Sequence, residues 1–391
     1  MNVDPASSID ESYVLDLLKE LVATNSVNPT LGRGPGEAAI ARVLRDRLDS
    51  IDGLEVQTQP VADGRSNVIA ILKGSGGGRS LMLNGHMDTV GVDGMIIDPF
   101  KPSIQNGLMR GRGACDMKGA LAAMIGAVKS VIDSRMKLRG DLIFSAVVDE
   151  EYKSLGIKKL VQEYKADAAI VGEPTDMRVA TTHKGFVWIE VEVKGKAAHG
   201  SVPEKGVDAI AHAAKIMSAV EKLQGELGSR VHPLLGTPKI HASTVQGGTD
   251  WSIIPERCML RLERRTLPRE SVASVLAEIE SMFQTIKQET PNFSATARSP
   301  YDMLPLETTE SEPIVQIAQQ ALAEKTGTRA PVIGVPYWTD GAVLSQMGSI
   351  PTCLFGAGDI GVAHSADEYV SLENVFTSTR VYREIIQRYC S

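Results

Sequence analysis

Apolar residues recur along this chain with two periods, and stretches of each period alternate. Val14, Leu17, Leu18, Leu21 and Val22 fall at i, i+3, i+4, i+7 and i+8, the stripe of an amphipathic helix. Ile40, Val43, Leu44, Leu48 and Ile51 predict a second helix. Asn67 to Leu72 and Leu81 to Leu83 are apolar runs of strand length. Ala120 to Ile132 reads as a helix rich in small residues, suited to close packing on a sheet. Leu142 to Val148 is a continuous apolar run with β-branched members, as in a strand buried on both faces. Ile157, Leu160, Val161 and Tyr164 predict a short helix, and Ala168 to Val171 another strand. Such alternation predicts an α/β sheet with helices on both faces.

The pattern changes after Val179. Val187, Ile189, Val191 and Val193 alternate within Phe186 to Val193, the signature of a half-exposed strand. A helix from Val207 to about Leu223, strands Lys239 to Gln246 and Arg257 to Leu262, a helix opened by Pro268 and Ser271, and a strand Asn292 to Ala297 follow. The order βαββαβ closes as a two-layer α+β unit. Residues 181–298 therefore read as a domain inserted into a discontinuous one made of 1–180 and 299–391. Helix and strand return with Ile314 to Leu322, Pro351 to Phe355 and a final helix Leu372 to Tyr389. The glycine-rich patch Gly74 to Gly78 reads as a hairpin loop.

The 391 residues carry 41 Lys and Arg against 48 Asp and Glu, a net charge of −7, which leaves no overall footprint for nucleic acid or an anionic membrane. No apolar run reaches the ~18 residues of a membrane span. Met1 to Ser12 is polar and acidic, without the apolar core of a secretory signal. Cys115, Cys258, Cys353 and Cys390 lie far apart, which suits neither a disulfide framework nor a thiolate zinc site. A reducing, cytoplasmic setting is the expectation.

Chemistry-bearing residues gather where strands end. Leu81-Met82-Leu83 runs into Asn84-Gly85-His86-Met87-Asp88, so His86 faces the crevice where α/β sheets bind ligands. Asp88 is placed to accept the other ring N–H of His86. Gly111-Arg112-Gly113-Ala114-Cys115-Asp116 puts an acid in a glycine turn before a helix; Leu142 to Val148 ends in Asp149-Glu150-Glu151; Ala168 to Val171 ends in Gly172-Glu173. His364 sits in a late glycine-rich loop. Each segment has a plainer reading: a loop histidine, a helix N-cap at Asp116, a solvated acidic run. Together, two histidines and three carboxylates without a thiolate suit a pair of divalent ions such as zinc, one carboxylate bridging them.

The ordered segments Leu83-Asn84-Gly85-His86-Met87-Asp88-Thr89-Val90, Gly111-Arg112-Gly113-x-x-Asp116-Met117-Lys118-Gly119, Asp149-Glu150-Glu151, Gly172-Glu173-Pro174-Thr175 and Ala363-His364-Ser365-Ala366-Asp367-Glu368-Tyr369 resemble the co-catalytic zinc deacylases and exopeptidases. That family includes acetylornithine deacetylase, succinyl-diaminopimelate desuccinylase, aminoacylase and glutamate carboxypeptidase. The resemblance implies a mixed-sheet zinc-peptidase domain with an inserted lid or dimerisation domain. It implies His86 and Glu173 on one zinc, Glu151 and His364 on the other, and Asp116 bridging, followed by a cis peptide. By the same resemblance Glu150 is the general acid/base and Asp88 orients His86. His199, in Lys196-Ala197-Ala198-His199-Gly200-Ser201, stabilises the oxyanion from a partner subunit, and Arg265 holds the substrate carboxylate. Ser252 stands where many relatives carry Asn.

The implied activity is hydrolysis of the amide of an N-acyl amino acid by water activated between two Zn2+ ions, with Co2+ or Mn2+ able to serve the same N/O ligands. The alternative is a dipeptidase or carboxypeptidase acting on small peptides with a free carboxylate. The enzyme is expected to be a homodimer with a small-molecule substrate. Other candidates are weaker on their own residues. Gly32 to Gly36 lacks the preceding strand and the Gly-Lys-Ser/Thr of a phosphate loop. His183, His212, His232 and His241 read as structural or surface residues, and Cys115 as packing.

Overall fold

The computed structural model describes residues 9–391; the first eight residues of the polar Met1 to Ser12 reading lie outside them. Two compact units divide the chain. One comprises the residues up to Thr181, Thr308–Ile333 and Thr339–Ser391; the other comprises Thr182–Glu307 and Gly334–Trp338.

The first unit is built on a mixed sheet ordered Glu55–Ala62, Arg65–Leu72, Leu142–Val147, Leu81–His86, Ala168–Val171, Thr352–Leu354 and Ala180–His183. Leu142–Val147, Leu81–His86, Ala168–Val171 and Thr352–Leu354 run parallel, and the flanking pairs run antiparallel. Every residue of Leu142–Val147 is buried, as its unbroken apolar run requires. The helix Glu11–Ala23 starts where the Asp10 side chain accepts the Tyr13 N–H at 2.9 Å, and it buries all five residues of its predicted stripe. Helix Gly119–Asp133 packs against Glu11–Ala23 and the final helix Leu372–Tyr389. Its small residues permit this approach: a Cβ on Gly126 would lie 2.3 Å from Val14. Each fully buried Leu or Ile contributes about 1.5–3 kcal/mol to such a core.

The second unit is an antiparallel sheet ordered Lys239–Gly247, Arg257–Thr266, Gly185–Lys194 and Ala295–Met303. Helices Ala209–Leu227 and Val272–Glu289 belong to the same unit. Val187, Ile189, Val191 and Val193 enter one core with Ile216, Val220, Ile279 and Phe283. A reciprocal cap between Ser271 and Ser274 starts the second helix.

Three details depart from the sequence reading. Strands Arg65–Leu72 and Leu81–His86 are not neighbours, because Leu142–Val147 lies between them. Gly74 to Gly78 is therefore a crossover, not a hairpin loop, and it lies against residues 139 and 140 so closely that a Cβ on Gly74 would meet the Arg139 carbonyl at 2.5 Å. The strand Glu55–Ala62 has no apolar alternation to betray it, since this edge strand is largely exposed. The insert runs beyond residue 298: Ala295–Met303 continues to pair with Gly185–Lys194 past an irregularity between Arg298 and Tyr301, where Ser299-Pro300 breaks the alternation. Among the described residues, no helix is long and apolar enough to cross a membrane, and the four cysteines are free and buried.

Candidate metal centre

Strand register brings the first ligands together. His86 is paired with Val147, and Asn84 with Val171. Glu173, two residues past Val171, thus comes level with His86, two residues past Asn84; His86 Nε2 lies 4.0 Å from Glu173 Oε1. Asp116 arrives from the adjoining turn, where Gly113 takes φ 80° and a Cβ would meet Thr89 at 2.7 Å. Asp116 does not cap the following helix, whose N-cap position is Lys118. The Asp116–Met117 peptide is cis. Asp116 Oδ1 lies 3.0 Å from His86 Nε2 and Oδ2 lies 3.3 Å from His364 Nε2. His364 Nε2 is also 3.2 Å from Glu151 Oε1.

Donor atoms of His86, Asp116 and Glu151 lie within 4.8 Å of one another, as do those of His86, Glu150 and Glu173. The two groups share His86, and with His364 on Asp116 and Glu151 they make one cluster of His86, Asp116, Glu150, Glu151, Glu173 and His364.

The electrostatics of the cluster are unbalanced. Burial opposes charge on His86, but the hydrogen bond and charge of Asp116, with Glu150 and Glu173, outweigh it and raise the ring's pKa. Burial also opposes charge on Asp116, yet the bonds from His364 and His86 hold its carboxyl below the usual range. His364 is pushed up to about 11, because Asp116 and Glu151 overcome its desolvation. Burial first, and then neighbouring carboxylates, drive Glu150 and Glu173 well above the carboxylate range. Asp88 and Asp340 are raised to about 7, burial again leading. Glu173 Oε1 is buried without a hydrogen-bond partner among the described residues. A pocket with surplus negative charge, an orphaned carboxylate oxygen and imidazole donors fits hard or borderline divalent cations.

One sequence expectation needs correction. The Asp88 carboxylate does not take the ring N–H of His86. His86 Nδ1 meets the Asp88 main-chain carbonyl at 2.9 Å, while the nearest carboxylate oxygen is 3.8 Å away. That carboxylate faces the acidic turn instead: Oδ1 accepts the Glu150 N–H at 3.1 Å and Oδ2 the Glu151 N–H at 3.2 Å. These two part-buried N–H groups take the carboxylate, while the ring nitrogen is already satisfied by the main-chain carbonyl.

His199 and Arg265 belong to the second unit. His199 Nδ1 accepts the Ser201 N–H at 3.1 Å, which leaves Nε2 as the protonated, donating nitrogen of the neutral ring. Ser252 pairs through its main chain, its carbonyl accepting the Gly200 N–H at 2.7 Å. Arg265 stands over the Phe186 ring and pairs with Glu263 at 2.8 Å. Its neighbour Arg264 points into the fold, fully buried, with Glu270 at 2.6 Å. His183 bonds to Lys184 O, His212 packs on Phe293, and His232 and His241 pair with Glu307 and Glu263. Cys115 is buried, and burial and Asp116 push its thiol up, in keeping with its reading as a packing residue.

Several residues that hold the cluster escaped the sequence reading. Glu368 binds the turn before Asp116, Arg112 pairs with Glu368 at 2.6 Å, and Arg65 joins Glu37 to Asp149. Glu368 carried a signal, four residues past His364 in the same segment. Asn28, Glu37 and Arg65 carried none, because nothing in their spacing ties them to residue 149.

Comparison with known proteins agrees with this geometry. The profile of peptidase family M20/M25/M40 matches residues 82–388. An acetylornithine deacetylase of Myxococcus xanthus is 30% identical over 386 residues, covering 95% of this chain and 96% of its own. An N-formyl-4-amino-5-aminomethyl-2-methylpyrimidine deformylase of Bacillus subtilis is 30% identical over 411 residues, covering 97% and 95%. Aminopeptidase PepT of Bacillus cereus superposes with a TM-score of 0.82 at 24% identity, covering 98% and 100%. The Bacillus subtilis YXEP protein, a dinuclear metal binding peptidase, does so with 0.76 at 16%, covering 99% of each chain. These two likenesses establish the fold.

Proposed function

The chain belongs to peptidase family M20/M25/M40 and is a hydrolase of amide bonds; on that footing we propose that it removes a small acyl group from the nitrogen of an amino acid. The observation that carries this reading is the convergence of His86, Asp116, Glu150, Glu151, Glu173 and His364 in one cluster. The two full-length relatives named above, a deacetylase and a deformylase, both detach a short acyl group from nitrogen.

In this reading His86, Glu173 and Asp116 would hold one divalent ion, and Asp116, Glu151 and His364 would hold a second, Zn2+ being the best match to the donors. When bound, such ions would supply a water of lowered pKa and a polarised scissile carbonyl. Glu150 takes the proton from that water and returns it to the leaving nitrogen. Burial and the neighbouring Glu173 raise its pKa, which strengthens it as a proton acceptor. The outward Nε2–H of His199 donates to the developing oxyanion, an interaction worth about 2.7–4 kcal/mol where one such donor is removed. Arg265, whose guanidinium is not consumed by the core, clamps the substrate carboxylate. The working form is a homodimer in a reducing compartment such as the cytoplasm, with His199 lent across the interface.

The test is metal analysis followed by a screen of N-acetyl, N-succinyl and N-formyl amino acids against dipeptides. Turnover of the acylated amino acids by protein with two ions per chain is the expected result. Preference for dipeptides would move the assignment to the exopeptidase branch, and metal-loaded protein inert to every member of the panel would end it.

A further inference from the structure

Asn28 joins the two segments that flank the acid/base. It is fully buried, and its Nδ2 donates to Asp88 Oδ2 at 2.8 Å and to Asp149 Oδ1 at 3.0 Å. Its remaining polar atoms are also fixed. Oδ1 accepts the Thr30 N–H at 3.0 Å, and the main-chain N–H reaches Thr89 O at 2.9 Å. Asp88 passes the restraint to the Glu150 and Glu151 amides, as described above. Asp149 receives it from the other side: Arg65 reaches Oδ1 at 2.9 Å and Glu37 accepts the Asp149 N–H at 3.1 Å. Asp149 itself adopts φ 71°, a conformation that a non-glycine residue keeps only when its surroundings impose it.

We propose that Asn28 is a positioning residue for Glu150. One amide group, through its two N–H bonds, holds Asp88 and Asp149 together, and those carboxylates hold the main chain that aims the Glu150 side chain. The choice of residue follows from charge. Two buried carboxylates this close repel, and a donor must stand between them. Arg65 already supplies the positive charge on the Asp149 side, so the residue between the two carboxylates needs donors and no further charge. A carboxamide supplies two donors and no charge. The inference rests on the reading of Glu150 as acid/base and adds the device that aims it.

A plainer role is available, because Asn28 also caps the short helix Pro29–Gly32. Two substitutions separate the roles. Asn28→Asp keeps the shape and the capping oxygen but removes both donors, and Asn28→Ser keeps a capping hydroxyl too short for the same reach; Asp and Ser cap about as well as Asn. In the metal-loaded enzyme, assayed on the acyl amino acid that the screen finds best, both variants should lower kcat by about ten- to a hundredfold. KM and metal content should stay near the parent values, whereas the melting temperature should fall in both variants, more in Asn28→Asp, which sets a third carboxylate beside Asp88 and Asp149. Hydrogen exchange followed by mass spectrometry should show faster exchange confined to residues 147–154. This readout needs no substrate and also reports on a variant too slow to assay. If both variants retain the parent's kcat and exchange, Asn28 is only a cap and the proposal is overturned. If melting temperature falls while kcat holds, the role is structural and the proposal is likewise overturned. The reading of Glu150 fails separately, by full activity in Glu150→Gln. With Glu150 confirmed, Asn28→Asp in the Glu150→Gln background should slow residual turnover no further, and an additive loss would show that Asn28 acts elsewhere.

Discussion

Glu368 holds Asp116 by its backbone. Oε1 of Glu368 accepts the Asp116 N–H at 3.1 Å and the Cys115 N–H at 2.9 Å, while Oε2 takes the Gly113 N–H at 3.1 Å and Arg112 at 2.6 Å. The arrangement mirrors that of Asp88 and the Glu150-Glu151 turn. In both cases a carboxylate two or four residues beyond a histidine of the cluster grips the main chain of a different, acid-bearing segment.

Glu368→Gln should therefore unsettle the fold, because Arg112 and a buried acceptor lose their match. Breaking one side of a buried charged pair costs about 3–5 kcal/mol. Thermal unfolding should show a fall of that size in Glu368→Gln. Asp367→Asn should change little, since Asp367 is half exposed and 3.5 Å from Arg110. Equal melting temperatures for the two variants would contradict this role of Glu368.

The adjacent arginines should separate cleanly. Arg265→Lys keeps charge but loses the planar fork, and should raise KM by about ten- to a hundredfold with a smaller change in kcat. Arg264→Lys should instead lower the melting temperature, because Arg264 is buried against Glu270 and the Arg265 carbonyl. Steady-state kinetics and calorimetry on both variants decide, and a KM effect confined to Arg264→Lys would reverse the assignment.

Glu150→Gln should bind the same metal as the parent and lose activity by at least about 10²–10⁴-fold, the usual contribution of a positioned acid/base. Metal analysis and single-turnover assays are the measurements. Parent-level turnover in this variant would remove Glu150 from the mechanism.

Metal-free protein should lose stability as pH rises from about 5 to 8. Asp88 and Asp340 have folded pKa values raised to about 7, above their unfolded values, and Glu150 and Glu173 move the same way. Their favourable contribution is complete below the unfolded pKa and is lost as they ionise in the folded state. The raised pKa of His86 and His364 adds a loss in the same direction at higher pH. Bound cations should oppose this trend, since they favour the deprotonated ligands. Melting curves with chelator and with Zn2+ at pH 5.5 and 8 test it; a chelated protein more stable at pH 8 would contradict it.

The sequence made the periodic elements plain. The helix stripe from Val14 to Val22 and the alternation from Val187 to Val193 are buried as their spacing predicts, because one face of each must leave water. The clustering of His86, Glu151 and Glu173 was legible because strand ends deliver residues to one sheet edge. Long-range hydrogen bonding was not. Whether Asp88 serves His86 or the Glu150 amide depends on which donor lacks a partner, and no spacing records that. The same is true of Asn28 with Asp149, and of the short pairing of Tyr369–Ser371 with Leu108–Arg110 that brings Glu368 to Gly111.

That last pairing has a consequence for the order of events during synthesis. His86, Asp116, Glu151 and Glu173 leave the ribosome early, a whole compact unit is then translated, and only afterwards do His364, Glu368 and the strand Tyr369–Ser371 emerge. Until they dock, the Asp116 turn lacks its clasp and one side of the cluster stays unfinished. Completion of the cluster therefore waits until the inserted unit and the segment around His364 have both been made.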